Sequence, residues 1–380
     1  MGRCVTLQQI RTNKMLIIQA MNVHQGGGLS LLLPLLESAV RNGPVIALLD
    51  RRLQGTHTWP EALQIHWVEP SVNSRFRAEK WLRQRAKPDD VVLCFGNLPP
   101  LSRLPCRVVL FVQNRLLVDK IALGMFSWKT RLRLYVERQW LTRAAANVES
   151  VVVQTPSMQK LVSDTLGIPL PDVSVCAFVP VLPDCALAPS TAFPTVAQVT
   201  QDAFVYPASG DPYKNHRVLV SAWALLRAEG MRPTLHLTVD KGLYPGLVEW
   251  IETERVQKDL SIVNHGHLPA GELAALYKNA AALVYPSLFE SFGLPLLEAR
   301  GAGLPVIAAE LDYVRDVVAP VQTFDPSSAV SLARAVRRFL QQAPGTVKLA
   351  TAAEFMKLVH PGSTDQRAAP VEPTQAVAQG

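Results

Sequence analysis

Short apolar runs of strand length alternate with amphipathic stretches along most of the chain. Runs at 14–21, 44–49, 63–68, 90–95, 107–113 and 150–154 predict strands, with helical patterns between them. A second series at 203–207, 233–239, 260–265, 281–285 and 306–309 predicts more. Its helices are expected through about 227 and at 270–280, 294–302, 313–317, 327–341 and 346–359. Near-continuous apolar strands that alternate with helices read as parallel sheet covered on both faces. Between the series, residues 179–201 carry Pro180, Pro183, Pro189 and Pro194 with little periodicity, which predicts a partly extended linker. The expected organisation is an amino-terminal lobe over 1–180, a linker over 181–201 and a carboxyl-terminal lobe over 202–345. A last helix over 346–360, crossing back to the first lobe, and a disordered tail over 361–380 complete it.

Composition narrows the classes. A chain of 380 residues, 48% apolar and 18% charged, suits a globular protein with two cores. No uninterrupted apolar run reaches the roughly 18 residues of a membrane span, and the amino terminus lacks the apolar region of a secretion signal. Five scattered cysteines without metal spacing read as reduced thiols of a cytoplasmic protein. Charge is lopsided: residues 1–190 hold 22 Lys and Arg against 13 Asp and Glu, and the remainder 16 against 18. Two basic amphipathic stretches, 74–87 and 127–146, concentrate that excess among aromatic rings, the second in the manner of an interfacial helix. They make an anionic membrane surface a candidate partner. No recognised nucleic-acid motif accompanies them, so no nucleic-acid partner is expected.

The candidate chemistry lies at the ends of strands. After 281–285, a loop carries Glu290, Phe292 and Gly293 into a helix whose first turn accommodates Pro295. The unpaired N–H groups of such a helix start favour an anion, and Gly293 lets it approach the main chain closely. Glu298 falls about two turns after Glu290, so the two carboxylates can meet different parts of one ligand. In the amino-terminal half, the strand at 14–21 runs into Asn22-Val23-His24-Gln25-Gly26-Gly27-Gly28 and a helix through 29–40. This is a Gly-rich turn of the phosphate-binding kind, without dinucleotide spacing. Gly96-Asn97 and Gln113-Asn114-Arg115 also follow strands, where open α/β sheets bind ligands.

Pro286-Ser287-x-x-Glu290-x-Phe292-Gly293-Leu294-Pro295-x-x-Glu298-Ala299, followed by Gly303-x-Pro305-Val306-Ile307, resembles the signature of the family 4 retaining glycosyltransferases. The resemblance implies a GT-B fold, two Rossmann-like α/β domains facing each other across a cleft with the acceptor on the amino-terminal side. It implies that Phe292, Gly293 and Leu294 receive the diphosphate of a nucleotide sugar, that Glu290 contacts the sugar, and that Glu298 binds the ribose. Gly27 and Gly28 correspond to the loop facing the diphosphate, and Lys214 with Asn215 to a family lysine that neutralises it. His267 and Leu268 correspond to the loop under the base. Two features depart from the pattern. A family arginine is missing, with Ala208 and Ser209 standing near its place, so that His216, main-chain donors or a group across the cleft must supply the second charge. A family histidine is replaced by Gln113 and Asn114, which leaves two readings open: an amide there orients the acceptor, or His24 takes the place of the absent group.

The expected activity is retaining, metal-independent hexosyl transfer, with a mannose-like hexose moving from a GDP- or UDP-linked donor to a glycan or lipid-linked saccharide. The context implied is lipopolysaccharide, O-antigen or other surface-polysaccharide assembly. The expected location is cytoplasmic, peripheral on the inner face of the plasma membrane. No cofactor beyond the donor substrate is expected. The competing readings are a catalytically silent nucleotide-sugar-binding subunit, a nucleotide-sugar epimerase or sugar phosphorylase on the same fold, and a nucleic-acid binder. Donor base, linkage and acceptor are not written in the residues.

Overall fold

The computed structural model describes residues 14–178 and 202–340. The expected linker at 181–201, the last helix at 346–360 and the tail lie outside the described residues.

Seven parallel strands form the first sheet, in the order β3-β2-β1-β4-β5-β6-β7. They are β1 (Leu16–Ala20), β2 (Val45–Asp50), β3 (Leu63–Val68), β4 (Val91–Cys94), β5 (Arg107–Phe111), β6 (Ser150–Val153) and β7 (Val173–Val175). The helices are α1 (Gly26–Asn42), α2 (Val72–Arg85), α3 (Trp128–Ala144) and α4 (Pro156–Leu166). Leu31, Leu32 and Leu36 of α1 pack on one sheet face. Ala78 and Leu82 of α2, Leu134 and Leu141 of α3, and Met158 and Val162 of α4 pack on the other.

The second sheet has six parallel strands in the order β10-β9-β8-β11-β12-β13. They are β8 (Ala203–Tyr206), β9 (Thr234–Leu237), β10 (Ile262–Asn264), β11 (Ala282–Tyr285), β12 (Val306–Ala309) and β13 (Gln322–Phe324). Its helices are α5 (His216–Ala228), α6 (Pro245–Gln257), α7 (Ala270–Asn279), α8 (Leu294–Gly301), α9 (Asp312–Arg315) and α10 (Ala329–Phe339). Central strands β11 and β12 are buried at every position, as a sheet covered on both faces requires.

Both sheets start in the middle, run to one edge, and return to the other side of the first strand. The reversal falls between β1 and β4 and between β8 and β11, which pair directly. Loops leaving neighbouring strands in opposite directions open a crevice there, so chemistry is expected at the carboxyl ends of those four strands.

Three details differ from the sequence expectation. The helix after β1 begins at Gly26, so the three glycines form its first turn and not a loop before it. Strands β7 and β13 are three-residue edges too short for a periodic signal. Helix α6 (Pro245–Gln257) has only Ile251 fully buried, which leaves its sequence little apolar stripe.

Candidate functional site

The site is built first by β11 and its loop. Tyr285 ends the strand, fully buried, and Pro286 breaks it. Ser287 is also fully buried; its Oγ lies 2.8 Å from the Tyr206 hydroxyl, and its carbonyl accepts from Tyr313 at 2.7 Å. These anchors hold the loop while Gly293 turns through φ +75° into α8. A Cβ at Gly293 would sit 3.0 Å from Leu296 and 3.5 Å from the Tyr285 hydroxyl, so shape and dihedral both call for glycine. No side chain caps α8, and Pro295 occupies its first turn. The helix start therefore offers unpaired main-chain donors and the positive end of its dipole.

Lys214 and Glu290 meet there. Lys214 ends a 3-10 turn (Pro212–Lys214) after β8, and its Nζ lies 2.6 Å from Glu290 Oε1. Both side chains are largely buried. Tyr285 donates its hydroxyl to the same oxygen at 3.1 Å. Burial and the nearby Glu290 carboxylate raise the Tyr285 pKa well above its ordinary value, keeping it a donor. Glu298 is exposed on α8, and its Oε2 accepts from Tyr277 at 2.8 Å. Although its edge is open to solvent, the surrounding protein raises the Glu298 pKa, and the Tyr277 hydrogen bond opposes that rise.

The other predicted residues have varied surroundings. Asn215 adopts the left-handed conformation at φ 62° and donates its amide to the carbonyls of Pro286 (3.1 Å) and Pro326 (2.7 Å). It ties the loops of the site together. Ser209 donates to Asp211 at 2.7 Å, beside Gly210, whose missing Cβ leaves room for the Tyr244 ring. His267 is exposed and Leu268 half-buried ahead of α7. Phe292 is buried in the core of its own lobe, while Leu294 packs against both lobes.

Across the crevice, a Cβ on Gly27 would lie 3.1 Å from Leu294 Cδ1, so the first turn of α1 closes on the first turn of α8. Gly28 lies over Val23 and the Gln113 amide. His24 is half-buried beside Asp50 and Arg52, with its Nδ1 unpartnered. Burial first, then Arg52, lowers its pKa, so the ring is neutral near pH 7. None of its described contacts reaches Lys214 or Glu290. Gln113 donates to the Phe95 carbonyl at 2.8 Å, while Asn97 Oδ1 accepts from the main chain of Gln113 (2.5 Å) and Asn114 (2.8 Å). These bonds fix the ends of β4 and β5 together.

Arg115 follows directly. Its Nε donates to Asp119 at 2.7 Å and its Nη1 to the Glu290 carbonyl at 3.4 Å. It is the nearby cation that the sequence reading left without a role. The sign available beforehand was a cation at the carboxyl end of a strand beside a switch point. His216, another candidate for the missing charge, is buried with both ring nitrogens unpaired. Burial, with Lys214 adding to it, lowers its pKa to about 3, so it stays neutral. Thr155 donates to the Ser291 carbonyl at 3.3 Å, and Asp316 accepts from the Ser157 N–H at 2.9 Å at the start of α4. Phe126, just before α3, lies 6.3 Å from the Tyr213 ring, next to Lys214.

Comparison with known proteins agrees with this architecture. Residues 191–354 match the family model described as glycosyl transferases group 1. The chain is 34% identical over 139 residues to O-antigen chain mannosyltransferase B of Escherichia coli, a match covering 36% of each protein. It thus spans about a third of that relative's length. Among solved structures, sucrose-phosphate synthase of Thermosynechococcus elongatus superposes with a TM-score of 0.65 at 16% identity, covering 86% of this chain and 90% of that one. HepE of Anabaena, solved with UDP and glucose, superposes with a TM-score of 0.57 at 14% identity, covering 84% and 88%. The stretch 191–354 therefore belongs to the glycosyl transferases group 1 family, in a chain whose two parallel-sheet lobes have the GT-B fold.

Proposed function

We propose that the chain is a retaining glycosyltransferase that moves a hexose, mannose first among those to test, from a nucleoside diphosphate sugar to a glycan or lipid-linked saccharide. The process served is surface-polysaccharide assembly, and the chemistry needs no metal ion. The observation that carries the reading is the meeting of Lys214, Arg115 and the uncapped start of α8 around Glu290, where the switch points of the two sheets face each other. The likeness to an O-antigen mannosyltransferase supports the sugar and the setting. The fold shared with HepE, solved with UDP and glucose, supports the donor class.

In this mechanism the anomeric carbon–oxygen bond breaks and the nucleoside diphosphate leaves with the electron pair. Lys214 turns from Glu290 to the diphosphate, Arg115 approaches from the opposite lobe, and the N–H groups at Gly293 and Leu294 add a fixed positive field. Once the donor has drawn them round, these groups face the developing charge, so the chemical step itself needs no further reorganisation. Glu290, released from Lys214 and steadied by Tyr285, accepts hydrogen bonds from sugar hydroxyls. The acceptor hydroxyl attacks on the face the diphosphate vacates, forming the new bond with retention and passing its proton to a departing phosphate oxygen. Glu298 takes the ribose hydroxyls, and closure of Gly27 on Leu294 excludes water.

The test incubates the purified chain with GDP-mannose and a panel of UDP-sugars, with and without chelator. It measures nucleoside diphosphate release and the anomeric configuration of the product. Release that survives chelation and an α-product from an α-donor are expected. Binding without release would instead favour a silent nucleotide-sugar-binding subunit, a role that the absent family arginine and histidine would suit.

A further inference from the structure

Helix α3 carries apolar side chains on two opposite sides. Leu134 and Leu141 turn inward, yet Trp128, Leu132, Tyr135 and Val136 are each more than half exposed. At 100° per residue these four fall on one stripe opposite the buried side. Exposed Arg131 borders the stripe on one flank, and exposed Lys129 and Arg133 on the other. Helix α2 covers the same sheet face and packs beside α3, with the Arg75 guanidinium 4.9 Å from the Trp140 ring centre. Its outer side adds Val72 and Phe76, also more than half exposed, bordered by exposed Arg77 and Lys80. Single exposed apolar side chains need no explanation, but four aligned along one helix, with two more on the helix beside it, do.

We propose that this outer face of the amino-terminal lobe seats the protein on an anionic lipid bilayer. Aromatic and aliphatic side chains at the crest would enter the headgroup–acyl boundary while the flanking cations meet lipid phosphates. Charge selects this occupant over the alternatives. A second copy docked face to face would set Lys129, Arg131 and Arg133 against like charges. A nucleic acid would need cations on the crest, where the apolar side chains stand. The seat adjoins the crevice, because Phe126, two residues before α3, lies against Tyr213. An acceptor carried by the bilayer would therefore arrive beside Lys214.

The surface is tested without donor or acceptor, so its outcome is independent of the transfer reading. The full chain is sedimented with phosphatidylcholine vesicles with and without phosphatidylglycerol. Binding is expected only with the anionic lipid, weakening as salt rises. The double variant Trp128→Ser, Leu132→Ser should lower the partition constant about tenfold or more with an unchanged melting temperature. Arg131→Ser, Arg133→Ser should weaken binding and flatten its salt dependence. Absence of vesicle binding, equal binding to neutral vesicles, or unaltered binding by the Trp128, Leu132 variant would each overturn the proposal. So would dimer formation or retention on nucleic acid that depends on this face while vesicles are ignored.

Discussion

Lys214 Nζ lies 2.6 Å from Glu290 Oε1, a contact between two largely buried side chains that joins the loops after β8 and β11. In the proposed mechanism these are the groups that receive the diphosphate and the sugar, so without a donor each serves as the other's partner. Lys214→Ala should lower kcat/KM by about 10²- to 10³-fold through the lost charge. It should also cost about 3 kcal/mol of stability by leaving the carboxylate unpaired. Steady-state kinetics and denaturant titration read the two effects separately, and a fully active Lys214→Ala protein would remove Lys214 from the mechanism. Glu290→Gln, which keeps the shape and an oxygen for Tyr285 and Lys214 but not the counter-charge, should lose part of the same stability and most transfer.

Arg115 reaches the Glu290 carbonyl from the other lobe. Arg115→Gln should lower kcat by about 10²-fold and weaken inhibition by the nucleoside diphosphate product. Arg115→Lys should recover part of both, since a point charge replaces a fork. Product inhibition is the deciding readout, because a merely structural arginine would leave it unchanged.

His216 predicts the acid side of the stability curve. Its folded pKa is lowered to about 3 by burial, against an ordinary value of 6.5. The unfolded chain therefore binds the extra proton more readily. The associated stability is present above pH 6.5 and is lost as pH falls from there toward 3, on the order of 4 kcal/mol in all. His216→Phe, which retains a ring beside Tyr206, should flatten melting temperature against pH across that window. An unchanged slope would assign the acid sensitivity elsewhere.

Gly27 separates stability from activity. It lies in the first turn of α1, where alanine is the better helix former, but its Cβ would press on Leu294 at 3.1 Å. Gly27→Ala should leave the melting temperature equal or slightly higher while raising the donor KM, and Gly27→Val should raise KM further. A Gly27→Val enzyme with ordinary KM would show that lobe closure does not pass through this contact.

At Gly96, a Cβ would fall 1.9 Å from Asn22 Oδ1, while Asn22 donates its amide to the Gly96 carbonyl at 2.7 Å. Gly96→Ala must displace Asn22 and should destabilise the first lobe by about 1–3 kcal/mol, read by denaturant titration.

Much of this protein follows from local order along the chain. Apolar runs long enough to cross a covered sheet, separated by amphipathic stretches, specify parallel α/β lobes. Pro286, Gly293 and Pro295 then specify a turn into a helix, because each acts on its own backbone dihedrals and donors. Glu290 and Glu298 were legible as candidates for the same reason, their types and spacing being set within one short stretch, whereas Lys214 was legible only through the family resemblance of Lys214-Asn215. The partnerships depended on tertiary structure. Arg115 and Glu290 are separated by 175 positions, and only the packing of two lobes brings a β5 cation to a β11 loop. The neutral state of His216 comes from the low-dielectric core around it, which no neighbour in sequence announces. The outward turn of Trp128 and Leu132 was likewise open until the sheet claimed the opposite side of α3, since a stripe of apolar residues does not say which side is covered.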